Sequence, residues 1–154
     1  MPLIELTYPA GTLTPDGRTA LADELTTLML KWEGAPDTEF FRGITWVHVH
    51  ELPEGCALAA GKPVDQAIFR VDARVPEGAL SDRRKAGLVE DFSAALKEAG
   101  GLGDEDGLRV WVLIHEVPDG NWGAGGQVIR FAQLREAAQA ERERADAEPA
   151  GSTA

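Results

Sequence analysis

Met1-Pro2-Leu3-Ile4-Glu5-Leu6-Thr7-Tyr8-Pro9-Ala10-Gly11 opens the chain, and Thr14-Pro15-Asp16 follows three residues later. Leu3 to Tyr8 reads as a strand of about six residues, stopped by the Pro9-Ala10-Gly11 turn. Thr14 has the oxygen of a helix N-cap, Pro15 suits the first helical position, and Asp16 faces the positive end of the helix dipole. Leu21, Leu25, Leu28, Met29 and Trp32 then recur at helical spacing until Gly34-Ala35-Pro36 ends the helix. Ile44 to Glu51, rich in β-branched and aromatic residues, reads as the next strand.

The same order recurs further on. Gln66 to Val75 is predicted as a strand and Ser81-Asp82 as a helix start. Leu88, Phe92, Ala95 and Leu96 form one apolar stripe, Gly100-Gly101 is the stop, and Leu108 to Val117 is a last strand. The plan is β-α-β twice. A helix joining parallel strands gives a right-handed βαβ unit. Two such units can share one four-stranded sheet with both helices on one face, an α/β (α+β) architecture. Ile44 and Trp46 on one side, with Val47 and Val49 on the other, predict strands apolar on both faces. A bare apolar face needs a partner, and self-association is the simplest. Residues 1–131 are read as one domain. Gln127 to Phe131 is a candidate edge strand. Residues 132–154 are read as a solvated helix followed, from about Ala147, by a disordered tail.

A chain of 154 residues with 44% hydrophobic and 27% charged residues is large enough for one well-buried core. The net charge of −11 disfavours nucleic acid and anionic membrane as partners. No apolar run approaches the ~20 residues of a membrane span, and no signal peptide is read at the front, so the expected location is cytoplasmic. Cys56 is the single cysteine, which rules out an intramolecular disulfide and any zinc site with two cysteines from one chain. It follows a turn glycine and has no evident base.

Pro2 is the chemical centre of this reading. Methionine aminopeptidase removes an initiator Met that precedes a small residue, and Pro qualifies. The amine so freed titrates near ~8, and burial would lower that value toward a working base. An ordinary, inert terminus is the competing reading. Arg74 and Arg70 alternate onto one strand face with Asp72 between them. An arginine fork can orient a carboxylate, or the three can form a solvated ladder. Glu39, ahead of a strand, can activate water or stand as an exposed loop acid. Trp122, within Asn121-Trp122-Gly123, can wall a pocket or pack at a subunit contact. His48 and His50 share a face but lack a third ligand, and His115 has the same standing, so no metal is expected.

The Met-Pro start on a strand, Leu13-Thr14-Pro15, the two βαβ units, Arg74 and the Trp122 loop together resemble the tautomerase superfamily. The resemblance spans about residues 2–131. It is to the long branch, which includes macrophage migration inhibitory factor, malonate semialdehyde decarboxylase and cis-3-chloroacrylic acid dehalogenase. In that branch one chain holds both units and three chains assemble. The decarboxylase group looks most similar. Val71-Asp72-Ala73-Arg74-Val75-Pro76 resembles its arginine-bearing strand end, with Pro76 where that group has a second arginine. Gly34-Ala35-Pro36-Asp37-Thr38-Glu39 resembles its Gly-x-Pro segment, with Glu39 at the catalytic aspartate. The helix-borne histidine of the dehalogenases has no clear match.

The resemblance implies a cofactor-free homotrimer acting on a small-molecule carboxylate, a 2-oxo, enol or unsaturated acid. Pro2 would move the proton, Arg74 would hold the carboxylate with Arg70 in support, Trp122 would exclude water, and Glu39 would be an optional second catalytic group. Decarboxylation, or hydration and dehalogenation, by a protonated Pro2 is the alternative chemistry. An idle trimeric binding protein is the alternative class, and an unrelated ferredoxin-like binding module a further one.

Overall fold

The computed structural model describes residues 1–147, so the expectation for the final tail lies outside the described residues. In chain order the elements are β1 (Leu3–Pro9), α1 (Pro15–Glu33), α2 (Glu39–Gly43), β2 (Trp46–Leu52), β3 (Leu58–Ala59), β4 (Lys62–Pro63), β5 (Phe69–Pro76), α3 (Asp82–Gly100), a 3-10 turn (Asp104–Arg109), β6 (Val110–Val117), β7 (Gly123–Ala124), β8 (Gln127–Val128) and α4 (Phe131–Ala147).

The four long strands form one sheet in the order β2-β1-β5-β6. β1 runs parallel to β2, and β5 runs parallel to β6. The two units meet at the antiparallel pair of β1 and β5, with Leu3 opposite Arg74 and Thr7 opposite Arg70. This is the double βαβ sheet expected from the sequence. The two units are built alike at their helix ends. Thr14 and Ser81 each accept a hydrogen bond from the backbone N–H three residues on, which satisfies one orphan donor of the first turn. Gly34 (φ 70°) and Gly101 (φ 63°) end the helices in the left-handed conformation, where glycine carries no Cβ penalty.

Alternation along β1 and β5 sends Ile4, Leu6, Tyr8, Phe69, Val71, Ala73 and Val75 to the helix side. There they meet Leu21, Leu25 and Met29 of α1 and Leu88, Phe92 and Leu96 of α3. The two helices approach closely at Gly87. A Cβ added there would lie 2.0 Å from the Trp32 ring. That ring cannot swing freely, because its Nε1–H donates to Asp91 at 2.8 Å. Gly87→Ala is therefore expected to lower stability by about 1–3 kcal/mol through overpacking, despite the ~1 kcal/mol that alanine gains in helix propensity. Urea unfolding with an unchanged m-value checks it.

The face away from the helices differs from the expected apolar surface. Pleating gathers Glu5, His48, His50, Arg70, Asp72, Arg74 and His115 there. Arg74 pairs with Glu5, Arg70 with Asp72 at 2.7 Å, His115 with Asp72 at 2.9 Å, and His50 with Glu5 at 3.3 Å. Trp46 and Trp111, both 62% exposed, flank this charged ladder from the outer strands. The face is thus polar at its centre with an indole on each side. Ile44 lies before β2 and caps α2 instead of extending the apolar side.

Two further differences bear on the site. Gln127 belongs to the small β7–β8 hairpin and not to an edge of the main sheet. The final helix is docked as well as solvated. Ala138 is buried with Leu30 and Phe41, and Ala35, Ile44 and Ala137 pack around them. Alanines at these positions leave α4 a narrow apolar strip that polar neighbours in the sequence obscure. Its first turn is fixed from outside, because the Phe131 N–H donates to the Asp119 carboxylate at 2.9 Å.

Candidate functional site

The end of α1 and the start of β1 define one corner of the molecule. Glu33 is the last residue of α1 and Gly34 its left-handed cap. Arg84, in the first turn of α3, donates to the Glu33 carbonyl at 3.3 Å and the Ala79 carbonyl at 3.4 Å. Arg142 of α4 donates to the Gly34 carbonyl. Carbonyls at a helix C-terminus carry partial negative charge and lack partners inside the helix, which is why two guanidiniums gather there. Gly34 also admits the approach, since a Cβ would stand 3.1 Å from Arg84.

These elements enclose a concavity of about 600 Å³, within the range of small-molecule sites. Met1 opens into it, facing Glu33, Arg84, Arg135 and Arg142, with Phe41 and Phe131 supplying apolar wall. Burial pushes the N-terminal amine below its ordinary value, and the Glu33 carboxylate opposes that shift. Burial also raises Glu33 above the usual carboxylate range, with the amine opposing. Each group is held toward its neutral form by desolvation and partly recharged by the other.

Pro2 lies directly behind Met1, buried, with its carbonyl accepting from the Trp46 N–H at 3.2 Å. Arg74 and Arg70 sit together on the open sheet face, each engaged by a carboxylate, and neither lines the concavity. Glu39 is exposed in the first turn of α2. Trp122 is half-buried beside the β7–β8 hairpin, its carbonyl accepting from the Ile129 N–H. None of the five lines the concavity; Pro2 comes nearest, as the buried chain neighbour of Met1, which does. No cluster of metal-ligating side chains occurs among the described residues.

Sequence reasoning missed Glu33, Arg84, Arg135 and Arg142. For Glu33 a signal existed. An acid in the last turn of a helix opposes the dipole, and a broken local rule points to a site. The arginines gave none, because the docking of α4 was itself illegible.

The family model described as Tautomerase enzyme matches residues 70–132. No curated protein sequence matches the chain. Among solved structures, N1, a member of the cis-3-chloroacrylic acid dehalogenase family, is 23% identical, with a TM-score of 0.73 over 94% of this chain and 98% of that one. Pt0534 inactivated by 2-oxo-3-pentynoate is 21% identical, with a TM-score of 0.70 over 86% of this chain and 98% of that one. The asymmetric trimer of F6 fused 4-OT is 21% identical, with a TM-score of 0.70 over 82% of this chain and 94% of that one.

Proposed function

We propose that this chain, which has the fold of the tautomerase superfamily and matches its enzyme model across residues 70–132, moves a proton on a small carboxylic acid carrying a 2-oxo, enol or unsaturated group. It works without a cofactor, as a homotrimer assembled through the open sheet face. The observation that carries this reading is an N-terminal amine opening into a concavity where burial holds it toward its neutral form. Hydrolysis of the Met1–Pro2 bond frees the ring nitrogen of Pro2, a buried residue, as the new terminal amine. A neutral secondary amine takes the proton from an enol oxygen, or from carbon next to a carbonyl, and returns it to the other end of the conjugated system. Charge developing on the substrate oxygen is met by guanidinium and N–H donors. Glu39, Trp122, Arg70 and Arg74 belong to this proposal only as groups brought to the substrate by assembly. For Arg74 that requires exchange of Glu5 for the substrate carboxylate.

A base and an acid differ in their pH dependence. With Pro2 as base, activity rises with pH through the amine titration. With a protonated Pro2 catalysing decarboxylation or hydration, activity falls over the same range. Glu33→Gln removes the carboxylate that holds the proton on the amine, so the ascending limb is expected to move to lower pH. The same change alters stability with a defined sign. Glu33 has a raised folded pKa, so its favourable contribution is complete below the unfolded carboxylate value and is lost as pH rises through the folded one. Wild type and Glu33→Gln should therefore agree in acid, with the variant more stable at neutral pH in thermal melts.

The direct test uses 2-oxo-3-pentynoate. A neutral amine adds to the alkyne carbon conjugated with the ketone, forming an N–C bond while a proton moves to the adjacent carbon. The mass then increases by the whole reagent. Peptide mapping should find one adduct per chain, on Pro2. Labelling elsewhere, or none, overturns the reading.

A further inference from the structure

Six of the arginines have an acid partner: Arg42, Arg70, Arg74, Arg109, Arg130 and Arg144. Arg18, Arg83, Arg84, Arg135 and Arg142 have none among the described residues, and the last three of these line the concavity in front of the N-terminus. In a protein with 26 acidic and 15 basic residues, surface carboxylates are plentiful. Three guanidiniums without one, gathered in a single hollow, need an explanation.

Helix capping explains part of it. Arg84 and Arg142 hold the carbonyls at the end of α1. A guanidinium has five N–H donors in a rigid fork. One or two bonds to neutral carbonyls orient it and leave its full charge and its remaining donors free. Arg135 makes no such bond among the described residues. It lies one turn after Phe131, whose ring lines the same hollow and whose N–H ties α4 to Asp119. The facing acids, Glu33 and Glu136, are fewer than the cations once the amine is counted, and burial holds Glu33 toward neutrality.

We infer that Arg84, Arg135 and Arg142 form the carboxylate-binding wall of this pocket, with α4 supplying the residues that determine specificity. The inference rests on reading the concavity as the substrate site, and it assigns the anchor to α3 and α4 instead of to Arg74. Capping pre-orients two of the forks, and no internal ion pair has to break when the ligand arrives. A substrate reaching the amine then passes its carboxylate to α4 and its apolar body to Phe41 and Phe131.

The test is equilibrium binding of 3-phenylpropanoate, a carboxylate that cannot enolise, and of its uncharged amide. Titrations by NMR or calorimetry would use the full-length protein, Arg135→Gln, Arg142→Gln, the double variant, Arg74→Gln and Pro2→Ala. Wild type is expected to bind the acid and not the amide. Arg135→Gln should weaken the acid about tenfold, the usual effect of losing one charge-assisted hydrogen bond. The double variant should weaken it further. Arg135→Lys should recover only part, because it restores charge without the fork. Arg135→Gln should leave the melting temperature unchanged, which separates binding from capping. Wild-type affinity in the double variant overturns the inference, as does loss confined to Arg74→Gln or equal binding of acid and amide. Pro2→Ala keeps anion binding whether or not the amine is catalytic. Failure of the proton-transfer reading is therefore seen separately, in its activity.

Discussion

Pro2→Ala is expected to lower kcat/KM for ketonisation of phenylenolpyruvate and 2-hydroxymuconate by about 10²–10⁴-fold, the range of a positioned general base. The substitution is conservative for the fold. The residue-2 carbonyl still accepts from the Trp46 N–H, and alanine is as readily exposed by removal of Met1. What changes is the base itself, from a ring-held secondary amine to a primary amine on a more mobile terminus. Some residual activity should survive, because the dry setting and the arginines are untouched. Protein that retains Met1, identified by intact mass, should be less active than either, since Met1 then fills the approach to residue 2. Initial rates on mass-verified preparations check both statements. Equal rates for wild type and Pro2→Ala would remove the catalytic role of Pro2.

Phe92→Ala should be the most costly single truncation in the core. Phe92 is 0% exposed and lies where α3 meets the sheet and α1. Deleting a fully buried phenyl removes its transfer free energy and leaves a cavity that close-packed neighbours only partly fill, about 3–5 kcal/mol in all. Against a total of about 5–15 kcal/mol that is a large fraction. The melting temperature should fall by roughly 10 °C, read by calorimetry with a matching shift of the urea midpoint. A loss below 1 kcal/mol would mean that α3 packs elsewhere. Because α3 also carries Arg84, ligand affinity should weaken in parallel.

The fold was legible because its signals are local. Thr14-Pro15-Asp16 and Ser81-Asp82 cap helices, Gly34 and Gly101 end them, and the stripes at Leu21–Trp32 and Leu88–Leu96 have one period throughout. Pro2 was singled out from its place just ahead of the first strand. Alternation placed Arg70, Asp72 and Arg74 on one face, as the structure has them, but it cannot say which face looks toward the amine. The pocket residues Glu33, Arg84, Arg135 and Arg142 come from three helices that meet only in three dimensions. The strip of alanines that docks α4 is too small to register against Glu141-Arg142-Glu143-Arg144. The open face was misjudged because single apolar residues at strand ends were weighed above the charged residues between them.

The matched caps of the two units have a stoichiometric corollary. The offset that carries Thr14 to Ser81 and Gly34 to Gly101 also carries Pro2 to Phe69 and Glu33 to Gly100. At the first corner stand an amine and an acid. At its counterpart the Phe69 ring sits on Gly100, where an added Cβ would come within 2.5 Å. A polypeptide has a single beginning, so only one of two quasi-equivalent corners can hold a terminal nitrogen, and the other is plugged with an aromatic ring. Repetition of the unit inside the subunit therefore doubles the scaffold and leaves a single terminal amine.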